Sequence, residues 1–86
     1  MKELVEEIAK VLVDYPDAVD VRQVDGNGVT LLELRTHPDD TGKVIGREGR
    51  TAKAIRVLLG AMGMKLHKRF TFDIVEERAL VTARHR

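Results

Sequence analysis

The stretch Gly42-Lys43-Val44-Ile45-Gly46-Arg47-Glu48-Gly49-Arg50 reads as two helical segments joined through a pair of glycines two residues apart. Asp39 and Asp40, following Pro38, suit the capped start of the first segment, which runs to Ile45. The second runs from about Arg50 to Met62, with Thr51, Ile55, Leu58, Leu59 and Met62 along one side at helical spacing. Gly60 and Gly63 weaken its last turn and mark its expected end. Lacking a Cβ, Gly46 and Gly49 let the main chain turn sharply and let a sugar-phosphate strand come close. Gly49 also stands before the second helix, whose first free N–H groups and dipole favour an anion.

On the N-terminal side, Lys2 to about Tyr15 places Leu4, Ile8, Val11 and Leu12 on one helical face, with Glu3, Glu6 and Glu7 near the positive end of the dipole. Tyr15-Pro16-Asp17 stops this helix, because the residue before proline is pushed out of helical angles. Two strands follow. Val19, Val21 and Val24 belong to the first, and Val29 to Thr36 forms the second, with Leu32 and Leu34 facing the core. Asp25-Gly26-Asn27-Gly28 between them is a hairpin turn. On the C-terminal side, a basic loop with Lys65, Lys68 and Arg69 precedes a third strand, in which Phe70, Phe72 and Ile74 alternate with Thr71, Asp73 and Val75.

The order is helix, strand, strand, helix, helix, strand. A hairpin sets the first two strands antiparallel, and a two-helix crossover allows the third to lie parallel to a neighbour. This predicts an α+β domain, with three helices on one face of a three-stranded mixed sheet. At 86 residues, 43% hydrophobic and 34% charged, the chain is one ordinary globular domain rather than a disordered segment. The domain spans residues 1–76, and 77–86 form a C-terminal extension that prolongs the last strand or frays. No apolar run reaches the ~20 residues a membrane span needs, and the acidic, amphipathic N-terminus argues against a signal peptide. Without cysteine there is no disulfide framework, thiolate zinc site or thiol nucleophile, and a cytoplasmic location is the default.

The net charge of +1 conceals a strong segregation. Met1–Gly42 holds four basic and ten acidic residues (−6), Lys43–Arg69 eight basic and one acidic (+7), and Phe70–Arg86 three of each. A local positive field of this kind suits a polyanion, although a basic solvated helix produces the same count. Arg47, Arg50 and Lys53, with Lys43 and Arg56, lie where they can add charge to a phosphate contact at the loop. Val44, Ile45 and Ile55 beside it offer apolar surface to unstacked bases. A backbone-gripping loop next to an apolar groove accounts for these features together, whereas Gly-x-x-Gly by itself also fits a plain tight turn.

The remaining residues have simpler readings. Ala54, Val57 and Ala61 form a second, narrower apolar stripe, which is either the edge of the core or a helix-to-helix dimer contact. Lys65, Lys68 and Arg69 are a solvated turn or a widening of the positive field. His37, His67 and His85 lack partners at ligand spacing, so no metal and no cofactor are expected. Asp39 and Asp40 read as caps rather than paired catalytic carboxylates. Phe70 and Phe72 read as core. No phosphate-binding Gly-x-x-x-x-Gly-Lys-Ser/Thr loop and no nucleophile–base pair point to an enzyme.

Val44-Ile45-Gly46-Arg47-Glu48-Gly49-Arg50 resembles the Ile-Gly-x-x-Gly signature of KH domains, and its setting matches their type II arrangement. More closely, Met1 through about Val75 resembles the small bacterial single-KH proteins of the KhpA or YlqC-like family. The likeness is carried by Met1-Lys2-Glu3-Leu4-Val5, by Val13-Asp14 with Pro16-Asp17, and by Gly42 to Arg56. The resemblance implies sequence-tolerant binding of single-stranded RNA, with about four nucleotides clamped across the loop, and an RNA-chaperone or post-transcriptional role. It also implies a homodimer and pairing with a larger KH-containing, KhpB/Jag-like protein. Glu48 departs from the basic or neutral loop residues common in the family. It either faces the strand and repels phosphate, or turns outward to pair with Arg47 or Lys53. A KH scaffold acting only on protein partners and a single-stranded DNA binder are the competing readings.

Overall fold

The computed structural model describes residues 1–75, so the expectation that 77–86 prolong the last strand or fray lies outside the described residues. The elements follow the expected order: α1 (Lys2–Leu12), β1 (Asp20–Gly26), β2 (Val29–Arg35), α2 (Thr41–Ile45), α3 (Arg50–Leu66) and β3 (Arg69–Ile74). Single 3₁₀ turns at Pro16–Ala18, Pro38–Asp40 and Arg47–Gly49 connect them.

The sheet order is β1-β2-β3, with β2 central. β1 and β2 run antiparallel from Asp20↔Arg35 to Gly26↔Val29, closed by a two-residue turn with Asn27 and Gly28 both at positive φ. β2 and β3 run parallel, from Val29↔Arg69 to Leu34↔Ile74. This register sets Val21, Leu32, Leu34 and Phe72 on one face, where Val5, Ala9, Val44, Ile55 and Leu59 from the helices cover them. Leu32 and Leu34 are fully buried and Leu59 nearly so, each burial stabilising by about 1.5–3 kcal/mol. Phe72 is core, as its alternation predicts. Side chains alternate across a strand, so Arg22, Val24, Leu31, Glu33, Thr71 and Asp73 project from the opposite face, which no helix covers among the described residues.

The ends and buried sides of both long helices, and the loop before β3, are corrected. α1 ends at Leu12 rather than near Tyr15, because Val13 turns extended (φ −103°, ψ 162°) and the next two N–H groups bond elsewhere. Its buried stripe is Val5 and Ala9, with Leu4 and Ile8 half-buried and Val11 exposed, since the small Ala9 lets the helix sit close on the sheet. α3 continues a full turn past Met62, and its buried side is Ala52, Ile55, Leu59 and Gly63 rather than Thr51, Leu58 and Met62. Gly63 allows a close contact: a Cβ there would strike the carbonyl oxygen of Lys68. The helix stops where His67 turns left-handed (φ 56°, ψ 43°). Lys65 is therefore helical and Arg69 opens β3, leaving only His67 and Lys68 between the two elements.

Candidate nucleic-acid interface

α2 is only one and a half turns long, and a buried polar cluster holds its start. Asp40 was expected to cap it, and the structure corrects this: its side chain makes no capping bond. The fully buried carboxylate instead crosses to the segment that follows α1, accepting the N–H of Asp14 at 3.2 Å and of Tyr15 at 2.9 Å. Lys43 Nζ donates to Asp40 at 3.1 Å and to Asp14 at 2.5 Å. Burial alone would raise the pKa of Asp40, but the N–H groups of Tyr15 and Asp14 and the Lys43 ammonium outweigh it and hold the carboxyl below its usual value. The same contacts, first with Asp14 and then with Asp40, raise the pKa of Lys43. His37 caps the preceding 3₁₀ turn Pro38–Asp40, its Nδ1 accepting the N–H of Asp39 at 3.1 Å, while its ring stacks on Tyr15 with centroids 4.2 Å apart.

At the other end of α2 the chain passes through Gly46 (φ 81°, ψ 167°), Glu48 (φ 57°, ψ 25°) and Gly49 (φ 74°, ψ 14°) before entering α3. Gly46 N–H donates to Gly42 at 2.9 Å and Gly49 N–H to Gly46 at 3.0 Å. A Cβ on Gly46 would overlap the side chain and main-chain nitrogen of Thr51, so this position excludes larger residues twice over, by angle and by space. A Cβ on Gly49 would meet open space, and only its angle demands glycine. Glu48 pairs with Arg50 at 3.5 Å, rather than with Arg47 or Lys53, and both side chains are largely exposed. Such a pair is weak and opens easily to a competing anion.

Beside the loop lies a cleft of about 340 Å³, walled by Ile45 of α2, by Gly49, Ala52, Lys53 and Arg56, and by Asp73 and Ile74 of β3. It adjoins a second of about 320 Å³ running between α3 and β3 past Arg56, Leu59 and Phe72. Arg56 joins the two: its Nε donates to the Phe72 carbonyl at 3.2 Å and its guanidinium stands 5.8 Å from the Phe72 ring centroid. Val75 N–H bonds to Leu34 across the β2 side. Strand alternation then turns the main-chain groups of Phe70, Phe72 and Ile74 toward the outer edge of β3, unpaired with another strand among the described residues and facing the cleft.

Of the expected site residues, Ile45, Gly49, Lys53 and Arg56 line this cleft, and Gly46, Arg47, Glu48 and Arg50 form its loop rim. Val44 and Ile55 are 0% and 5% exposed, so they build the core beneath and leave Ile45 and Ile74 as the apolar surface. Lys43 is engaged with Asp14 and Asp40. Ala54, Val57 and Ala61 are all exposed, Val57 at 73%, so the edge-of-core reading of this stripe does not hold. The wall supplied by Asp73 and Ile74 went unseen in the sequence. Its signal was the crossover, which places β3 parallel to β2 at the end of the sheet formed by the described residues. Among the described residues no group of His, Cys, Asp and Glu could hold a metal ion, and no helix is long and apolar enough to cross a membrane.

Two helices joined by a glycine-framed turn, packed beside a parallel edge strand, have counterparts among known proteins. Residues 2–74 match the sequence model described as "KhpA/KhpB, KH domain". The chain belongs to this KH family. Its helix-strand-strand-helix-helix-strand order on a mixed sheet is that of a type II KH domain. It is 51% identical over 75 residues to the RNA-binding protein KhpA of Clostridium acetobutylicum, covering 87% of this chain and 100% of that one. The RNA-binding proteins KhpA of Aquifex aeolicus (45% over 76 residues; 88% and 96% covered) and Borreliella burgdorferi (47% over 74; 86% and 90%) are similar too. A crystal structure of Aquifex aeolicus Era bound to GDP and aluminium fluoride shares the fold, with a TM-score of 0.59 at 19% identity. That match spans 86% of this KH chain and 30% of Era.

Proposed function

We propose that this KH domain binds single-stranded RNA in the cleft between the first half of α3 and the outer edge of β3. The observation that carries the reading is the loop Gly46–Gly49: two glycines at positive φ bring bare main chain to the mouth of a cleft with cations on one wall and strand edge on the other. Phosphates lie on the loop and the start of α3, where free N–H groups, Arg47, Arg50 and Lys53 meet them. About four nucleotides fit such a clamp, their bases over Ile45 and Ile74 and their edges toward β3. Glu48 does not bar this, because its carboxylate is exposed and turned to Arg50, in a weak pair that reopens cheaply. The protein works by binding, as an RNA chaperone or post-transcriptional regulator in the cytoplasm, and no covalent step is assigned to it.

A second face supports self-pairing. Ala54, Val57, Leu58 and Ala61 lie exposed on the side of α3 away from the cleft, where small side chains permit close helix contact. We assign this face to a homodimer, or to the KH domain of a larger KhpB/Jag-like partner. Two weak clefts in one particle then reinforce each other on a single RNA.

Titration of fluorescent single-stranded RNA with the protein and with Gly49→Asp tests the clamp, and circular dichroism confirms that both are folded. Contacts to about three phosphates give a salt slope near −2, so raising salt fourfold weakens binding roughly twentyfold. Gly49→Asp abolishes it. Equal binding by the two proteins would move the site elsewhere, and no binding by either would leave a scaffold for protein partners. A matched single-stranded DNA separates RNA from DNA preference.

A further inference from the structure

Beyond the second cleft the seam between α3 and β3 opens into a third and larger hollow of about 620 Å³. It lies between the end of α3 (Gly60, Gly63, Met64) and the approach to β3 (Lys68, Arg69, Phe70), with Gly28 of the hairpin turn at its border. The three clefts are successive. The first and second share Arg56 and Asp73, and the second and third share Phe70. From Gly49 to His67 the line along α3 is about 27 Å at the helical rise per residue. We propose that this far hollow is a second subsite for the sugar-phosphate backbone of single-stranded RNA, so that one chain holds a longer strand than the glycine loop alone.

Charge carries the argument. Basic residues after a helix are the usual complement of its dipole, but the dipole amounts to only about half a negative charge. Lys65, Lys68 and Arg69, all exposed, bring three positive charges to this end. Asp25 offsets one of them, its carboxyl held low by Thr30 and Gln23 and more weakly by Lys68. A surplus of more than one positive charge remains, and neither Lys68 nor Arg69 has an ion-pair partner among the described residues. The hollow also has apolar surface for a base, since Met64 is 82% exposed and the ring of Phe70 is half-buried at the shared wall. Glycines at Gly28, Gly60 and Gly63 keep its sides low enough for a strand to pass.

The inference rests on RNA binding at the glycine loop, and a length series separates the two. RNAs of about five and about twelve nucleotides are titrated with the wild type, Lys68→Gln/Arg69→Gln, and a control of equal charge loss off the seam, Lys10→Gln/Arg22→Gln. The far-end variant is expected to weaken the longer RNA three- to tenfold and lower its salt slope by about 1.4, two phosphate contacts' worth. The shorter RNA and the control variant show no such loss. The same series is repeated in a Val57→Glu background, which blocks the exposed pairing face of α3; the differences persist there, and sedimentation of that variant with the longer RNA finds one chain per RNA. Equal loss on both lengths, no loss on the longer, or a length gain that needs two chains each overturns the far subsite while leaving the loop. A wild type that binds neither RNA overturns both.

Discussion

Gly46 and Gly49 look equivalent in sequence and are not. Gly49 needs only a left-handed angle, so Gly49→Ala costs about 1 kcal/mol in urea unfolding. Gly46 sits where non-glycine residues are strained by about 1–3 kcal/mol, and a Cβ there must also displace Thr51. Gly46→Ala is therefore the more damaging of the two, and an equal loss would mean that the Thr51 contact relaxes freely. Asp40 governs the same helix from its other end. Its carboxyl is held below 3.8 in the folded state, so folding favours the ionised form. Its contribution is complete above the unfolded value and is lost as pH falls through the lower folded one. Asp40→Asn should lower the melting temperature at neutral pH, with the gap to wild type narrowing below about pH 3.8. A gap independent of pH would mean that shape, not charge, holds the cluster.

At the scale of elements, α3 carries three jobs on three faces. Ala52, Ile55, Leu59 and Gly63 pack on the sheet, Lys53 and Arg56 wall the cleft, and Ala54, Val57 and Ala61 face outward. Its two internal glycines separate cleanly by this division. Gly60 has open space around an added Cβ, so Gly60→Ala gains about 0.8–1 kcal/mol from helix propensity. Gly63→Ala drives a methyl into Lys68 and costs about 1–3 kcal/mol by overpacking. Chemical denaturation of the two variants measures both, and two changes of the same sign would disprove the division.

At the scale of the whole molecule, Ala54, Val57 and Ala61 are exposed and outside the cleft lining, so the proposed pairing is expected to leave the cleft open. Val57→Glu sets a charge on a face where Val57 is 73% exposed, costing the monomer little. Light scattering should then report a monomer, while the folded variant keeps its affinity for short RNA and loses the bivalent gain on long RNA. A wild type monomeric at all concentrations would remove the homodimer.

The order of elements, the hairpin, the buried pair Leu32 and Leu34 and the glycine loop were all legible in the sequence. Each depends on angles and alternation acting within a few residues. Helix ends were less so: α3 outran its glycines because Gly63 serves a contact with the strand that follows rather than a stop. Tertiary structure alone decided which of Val44, Ile45 and Ile55 stays near the surface, since that depends on how far α2 and α3 sink into the sheet. It also decided that Lys43 turns from the loop to Asp14 and Asp40. That choice links groups 26 residues apart in the chain, where a buried carboxylate must find donors. The strand wall of the cleft has the same origin, because an edge exists only once the sheet has been ordered.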